Sequence, residues 1–482
     1  MLAVLNVLGS MLMLFSITYV LPMVTSLIYW DGLLVDFFYA ALICLGAGAA
    51  LFKVTKKHRR ELRSRDGFLL VTLAWVFMSA IATVPLLIAL PGLSFTDAFF
   101  ETMSGLSTTG ATVLTGLDSM APSLNLWRAA LHWYGGMGII VLAVAILPLL
   151  GVGGMQLYKA EMPGAVKNEK LTPRITQTAK ALWFVYVLIT LACVLSLRIA
   201  GMGWFDAVFH AFSTLSLGGF SSYDASIAHF HSLPIELVLT FFMIVAALNF
   251  SRHFIAWQQK SLRAYLGDVE AGAMLRLLAL SVAVVTFYLW QKGVYPDLPT
   301  TLRHVSFNLV SIATTTGFAT QDFSAWPVFA SMFLLMLSCY TCNTGSTGGG
   351  IKMFRTLVLM RQAVRELWLL VHPQAVTPVR IRNQLVANHV VFAVLAFVVL
   401  YFGVVVSLTF LLLASGLDFI SAFSAVIASI NNMGPGLGVV GPASNYQGLS
   451  DFQTWVCSFA MLLGRLEIFS VLVLLTPTFW RK

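Results

Sequence analysis

Charge is scarce in this sequence. Only 10% of its 482 residues are Asp, Glu, Lys or Arg, and 59% are hydrophobic, whereas a soluble domain carries about 25% charge. So few charges would not cover soluble cores of this size, and the same balance excludes a disordered or collagen-like chain. Cysteine is scarce as well: Cys44, Cys193, Cys339, Cys342 and Cys457. Cys339 and Cys342 form a CxxC without a second pair, so neither a zinc framework nor a disulfide scaffold is indicated. These cysteines mostly sit in apolar stretches, where a thiol packs like a small hydrophobe. No Lys or Arg precedes Lys53, so the apolar N-terminus lacks the basic flank of a signal peptide and reads as a retained span. The sequence also lacks HExxH, a Ser-His-Asp set and paired carboxylates, and His132, His210, His253 and His389 are scattered. Gly436 to Gly441 fits GxGxxG without a βαβ context, and Ile351 separates Gly350 from Lys352, which breaks the P-loop pattern. No catalytic residues are expected, and the chain is not read as an enzyme.

What is present is apolar sequence in spans. Mean hydropathy is +0.86, and a spanning helix needs about 20 mostly apolar residues. Ten stretches qualify: 2–29, 33–52, 68–90, 126–150, 180–200, 234–256, 273–291, 326–358, 386–414 and 453–475. Basic residues gather in alternate connections, at 53–65, 159–180, 252–276 and 352–382, and in the tail Arg481-Lys482; these hold 24 of the 29 Lys and Arg. The positive-inside rule puts those segments and both termini in the cytoplasm. The opposite side holds twelve acids against Arg128, Arg198, Lys292 and Arg303. The basic pI of 9.4 therefore reflects topology, and nucleic acid is not an expected partner. The acidic outer face either concentrates cations or is simply what remains when bases are held inside.

Four outer connections repeat one pattern. They are SFTDAFFETMSGLSTTGAT at 94–112, GWFDAVFHAFSTLSLGGFS at 203–221, TLRHVSFNLVSIATTTGFAT at 301–320 and DFISAFSAVIASINNMGPGLG at 418–438. Aligned on Gly110, Gly219, Gly317 and Gly434, each has a polar start, an apolar run too short to span, and a polar Gly turn. Ser94, Asp97, Asp206, Thr301 and Asp418 are suitable helix caps. The implied unit is span, pore helix, Gly loop, span. The expected fold is an all-α polytopic membrane protein with four such repeats around one pore and two extra N-terminal helices. The boundaries are 1–66 for the helix pair, then 67–158, 159–260, 261–383 and 384–482 for the repeats. Irregular backbone at membrane depth persists only where it lines a cavity or is buried in protein. Four such loops about one axis would present rings of carbonyls able to replace the hydration shell of K⁺. The candidate filter is Thr108, Thr109, Gly110; Leu217, Gly218, Gly219; Thr315, Thr316, Gly317; and Asn432, Met433, Gly434. The carbonyls are expected from the two residues before each Gly.

Two further features fall between filter and cytoplasm. Residues 326–358 are too long for one ordinary span, and Gly345, Ser346, Thr347, Gly348, Gly349 and Gly350 interrupt them. The interruption is either a cytoplasmic loop between shorter helices or an intramembrane gate beneath the filter. Arg465 is the one basic residue near the middle of a span, a position that costs at least about 2.5–3.5 kcal/mol on insertion scales. It either faces the inner cavity or pairs with an acid of another helix.

The motifs STTGAT at 107–112, SLGGFSSYDAS at 216–226, TTTGF at 314–318, GSTGGGIK at 345–352, NNMGPGLGVV at 431–440 and GRLEIF at 464–469 resemble those of TrkH/TrkG-type membrane subunits of the Trk potassium uptake system, in the Trk/Ktr/HKT superfamily. The segment 132–164 and TPTFW at 476–480 also fit, so the resemblance covers essentially the whole chain. The ten spans point to the Trk branch, because Ktr members lack the N-terminal pair. The resemblance implies K⁺ uptake across the bacterial inner membrane. It implies that Arg465 and the GSTGGG loop form the pore constriction, and that Gly110, rather than Ser, goes with K⁺ selectivity. The implied partners are a TrkA-like cytoplasmic subunit with nucleotide-binding domains and a second copy of the chain. No cofactor is implied, and K⁺ in the filter is the only metal. Leu217 departs from the β-branched residue usual in the family, which leaves its carbonyl unaffected. The alternative function is a K⁺ symporter coupled to H⁺ or Na⁺.

Overall fold

The computed structural model describes residues 1–58, 60, 62–141, 171–382 and 384–481. The inner half of the fourth expected span, the basic residues of 159–170 and most of the 132–164 motif lie outside the described residues. Helix dominates, and the strands among the described residues are the two-residue pair Arg380–Ile381 and Gln384–Leu385. Among the described residues, six helices are long and apolar enough to cross a membrane: Leu2–Tyr29, Leu34–His58, Arg65–Ala89, Ala179–Ile199, Val269–Gln291 and Asn388–Ala414. Two bent pairs raise this to eight. The chain is a multi-pass membrane protein.

The first two spans form a hairpin with backbones in contact. A Cβ on Gly9 would lie 2.8 Å from the Gly48 carbonyl oxygen, and one on Gly48 equally close to that of Gly9. Small residues allow this approach where lipid supplies no hydrophobic drive. Asn6 fastens the hairpin near its ends, donating to the Phe52 carbonyl and the Thr55 hydroxyl at 3.1 Å each.

Contacts between connecting segments divide them into two faces. At one, Arg65 donates to the Arg481 carbonyl, Arg382 to that of Gly267, and Arg252 pairs with Asp268. At the other, Asp224 accepts from Gly116 and Leu117, Ala228 donates to the Ala319 carbonyl, and Tyr446 to that of Thr112. Among the described residues, the basic connection 53–65 thus meets the C-terminal tail and 352–382 meets 252–276, while the Gly-loop connections meet one another.

Three long stretches are broken where one was expected to be. The expected break is there: Val328–Ser338 ends, and Met353–Val371 begins after the Gly-rich segment. The stretch 234–256 is not one helix: Leu233–Ala247 and Phe250–Gln259 meet at 97°. Leu248 is extended, and Asn249 caps the second helix by accepting from the Ser251 N–H at 2.8 Å. The stretch 453–475 likewise bends by 108° after Arg465, where Glu467 and Ile468 hold positive φ of 54° and 25°. The length of each apolar stretch carries no mark of either bend, because each bent pair taken together still passes as one span.

Four short helices point into the molecule from the Gly-loop face: Phe95–Leu106, Trp204–Leu215, Leu298–Ala313 and Phe419–Ile430. Ser94 and Asp418 cap the first and fourth as expected. The third starts earlier than predicted: Asp297, not Thr301, is its cap, accepting from the Thr300 N–H at 2.7 Å. Asp297 has Pro299 close behind it, and proline suits the first turn of a helix. The second is capped by Gly203, with Asp206 in its first turn. At the Gly-loop face, the Thr300 backbone and side chain hold the Asp297 carboxyl below the usual carboxylate range. The Ser421 side chain and backbone do the same for Asp418.

Candidate functional site

Each short helix ends in the same backbone motif. The N–H groups of Thr109, Gly218, Thr316 and Met433 reach the carbonyls of Ser104, Ser213, Ser311 and Ala428, all at 2.8 Å. The preceding N–H groups, of Thr108, Leu217, Thr315 and Asn432, bond three residues back at 3.0, 3.0, 3.0 and 3.2 Å. This is a Schellman termination, which needs a left-handed residue. Thr108, Leu217, Thr315 and Asn432 hold φ of 54°, 54°, 58° and 53°, an uncommon state for residues with a Cβ. The glycine two residues on is left-handed again, at 81°, 79°, 93° and 93°.

The four turns close into a ring. A Cβ on Gly110 would overlap the carbonyl oxygen of Gly218; on Gly219, that of Thr316; on Gly317, that of Met433. On Gly434 it would lie 2.9 Å from the carbonyl oxygen of Thr109. Each glycine thus touches the next loop, and the fourth returns to the first. All four glycines line one cavity, open toward Asp224, Asn445 and Tyr446. The Thr109 and Thr316 hydroxyls are engaged in the wall with Ser107 and Thr314, at 2.6 and 2.9 Å.

The second loop reads Leu-Gly-Gly where two others read Thr-Thr-Gly, and His132 explains the glycine at 218. A Cβ on Gly218 would overlap His132 Nδ1, and the imidazole stacks on Phe220 with centroids 4.1 Å apart. Behind it lies a buried pair, Arg128 and Glu101, at 2.7 Å and each 1% exposed. Sequence reasoning assigned Arg128 to the outer side by charge alone and gave it no role. The signal available was an arginine only four residues before His132 inside an apolar stretch.

Beneath the ring, the Gly-rich segment is packed and buried. Ser346 and Thr347 are fully buried. Thr347 donates to the Leu215 carbonyl at 3.1 Å, and Gly349 donates to the Thr315 hydroxyl at 3.1 Å. A Cβ on Gly349 would overlap the Asn431 carbonyl oxygen, and one on Gly348 the Cys342 sulfur. Gly345 and Gly350 hold φ of 78° and 77°, and Gly345 accepts from the Phe250 N–H at 3.1 Å, next to the 97° bend. The segment between Val328–Ser338 and Met353–Val371 is thus buried among the pore-helix ends rather than exposed. Arg465, 2% exposed, donates to the Thr347 carbonyl and the Gly135 carbonyl, both at 2.9 Å. Gly135 belongs to the first repeat and Thr347 to the third, which face each other across the ring, so the guanidinium lies between opposite repeats. Among the described residues Arg465 makes no ion pair; Glu467 instead pairs with Arg355.

The comparisons with known proteins bear on this architecture as a whole. The family model described as "TrkH: Cation transport protein" matches residues 35–482. The chain belongs to the TrkH family of cation transport proteins. It is 46% identical over 485 residues to the Trk system potassium uptake protein TrkH of Halomonas elongata, with 99% of both chains covered. It is 44% identical over 481 residues to the TrkH of Escherichia coli strain K12, covering 100% of this chain and 99% of that one. The crystal structure of the potassium transporter TrkH from Vibrio parahaemolyticus superposes with a TM-score of 0.92 at 43% identity, over 100% of this chain and 99% of that chain. These relatives are transport proteins, not enzymes.

Proposed function

We propose that this chain takes up K⁺ across the bacterial inner membrane, with both termini in the cytoplasm and the ring of four Gly loops as its selectivity filter. The observation that carries the reading is the closed cycle of contacts from Gly110 through Gly218, Gly219, Thr316, Gly317, Met433 and Gly434 to Thr109. Carbonyls fixed in such a cycle can replace the hydration shell of K⁺. The αL residues Thr108, Leu217, Thr315 and Asn432 supply a second tier of carbonyls. The Gly345–Gly350 loop and Arg465 form the gate: a guanidinium beneath the ring repels K⁺ where water is scarce. A TrkA-like cytoplasmic subunit with nucleotide-binding domains controls that gate, and two copies of the chain assemble as a homodimer. Relatives bear the name of a Trk system potassium uptake protein, which supports the K⁺ assignment.

Coupled symport with H⁺ or Na⁺ is the competing mechanism. Glu467, two residues past Arg465, is held by Arg355, which disfavours its use as a proton relay. Purified protein in liposomes, under opposed K⁺ and pH gradients, tests this. A reversal potential that follows the K⁺ gradient alone supports the channel; one that moves with pH overturns it.

A further inference from the structure

Past the carbonyl ring, each loop leaves along a buried exit strand of irregular chain, not a β-strand, whose polar groups need partners. Each is met by one side chain from its own pore helix. Glu101 accepts from the Thr112 hydroxyl at 3.0 Å and from the Val113 N–H at 3.1 Å. His210 Nε2 bonds Ser221 Oγ at 3.1 Å; its Nδ1 faces the Asp206 carbonyl at 2.8 Å, so Nδ1 carries the proton and the Ser221 hydroxyl donates. Asn308 grips Thr320 twice, accepting from its N–H at 3.1 Å and donating to its hydroxyl at 2.9 Å. Ser424 accepts from the Leu437 N–H at 2.8 Å and donates to the Leu437 carbonyl at 3.2 Å. All four side chains are 1% exposed or less.

The first three stand nine residues before their glycine, and Ser424 stands ten before. Their partners lie two or three residues after it. An acid, an imidazole, an amide and a hydroxyl thus make one connection at one place, four times over. Arg128 joins the first two: besides Glu101, it donates to the Ser221 carbonyl and the Thr112 hydroxyl at 3.3 Å each, and lies 4.2 Å over the Phe220 ring.

We propose that Glu101, His210, Asn308 and Ser424 are positioning residues that set K⁺ over Na⁺ selectivity by holding the exit strand of each loop against its pore helix. The proposal rests on the filter reading. At most three peptide units separate each held atom from its ring glycine, so a strand released here lets the carbonyls close on a smaller ion.

The test is the K⁺/Na⁺ permeability ratio of full-length protein in liposomes, for Asn308→Leu and Ser424→Ala, with Gly317→Ser as the reference. Each brace variant should lower the ratio by at least about fivefold, the weight of one of the two hydrogen bonds it loses, while K⁺ flux per protein persists. Should Asn308→Leu not reach the membrane, Thr320→Val removes one of the two bonds, that from Asn308 Nδ2 to the hydroxyl, and should lower the ratio in the same direction by a smaller factor. A ratio unchanged in the brace variants while Gly317→Ser lowers it overturns the positioning role and leaves the filter reading standing. A ratio unchanged in Gly317→Ser as well overturns both.

Discussion

The four ring glycines are not equivalent, and the difference is measurable. Serine at Gly110, Gly219 or Gly317 would carry its Cβ into a carbonyl oxygen of the next loop; at Gly434 the nearest oxygen, that of Thr109, is 2.9 Å away. All four positions have φ between 79° and 93°, so each serine incurs the left-handed penalty, about 1–2 kcal/mol. At the first three positions a carbonyl oxygen must also move aside, and the displaced group is itself part of the ring. A further 1.4 kcal/mol of lost preference for K⁺ corresponds to about a tenfold change in selectivity. The expectation is about a tenfold fall in K⁺/Na⁺ permeability ratio for Gly110→Ser, Gly219→Ser and Gly317→Ser. For Gly434→Ser it is about threefold or less, because the Thr109 carbonyl needs only a slight shift. Reversal potentials under bi-ionic conditions, on protein reconstituted at equal density, give the ratios directly. If Gly434→Ser falls as far as the other three, the distance between glycine and neighbouring carbonyl is not what sets selectivity, and the reasoning is refuted.

Other expectations follow from the layer beneath the ring and from the faces. Arg465→Ala should raise K⁺ flux without the cytoplasmic partner by about tenfold or more, since it removes a buried like charge, with K⁺/Na⁺ selectivity unchanged; unchanged flux with lower folded yield would make Arg465 purely structural. Glu467→Gln should lower the thermal midpoint in detergent, because Arg355 is left buried without its partner, at about 3–5 kcal/mol; an unaltered midpoint would refute a structural role for the pair. Cysteine placed at Arg365 should resist an impermeant thiol reagent added outside intact cells, whereas cysteine at Asp322 should react; the opposite pattern would invert the topology.

Sequence reasoning reaches the repeat because its signals are local. A cap, an apolar run and a glycine lie within twenty residues, and four copies carry the same offset. The polar face of each spanning helix is too short-ranged a signal to reveal the bends at Leu248 and Glu467. Those depend on what approaches from elsewhere: Asn343 donates to the Ala247 carbonyl at 3.1 Å, and Arg355 holds Glu467. Thr301 has a cap's side chain, but the helix already begins behind Asp297, four residues earlier. In fact Leu298–Ala313 has 16 residues where the other three have 12.

The same division explains the second loop. From sequence, Leu217-Gly218 differs from Thr-Thr; in the structure the glycine at 218 is what His132 requires, since the imidazole occupies the space of a Cβ there. His132 lies 86 residues away, so no local pattern could connect them. The carbonyl geometry is nonetheless kept, with the Gly218 N–H at the same 2.8 Å from Ser213 as its three counterparts. The backbone is therefore the repeated unit, and side chains vary around it as each neighbourhood demands. Four chemically different braces holding four matching strands make the same point from behind the ring. The ring is specified by hydrogen bonds that recur at fixed offsets, and residue identity varies wherever another residue can make the same bond.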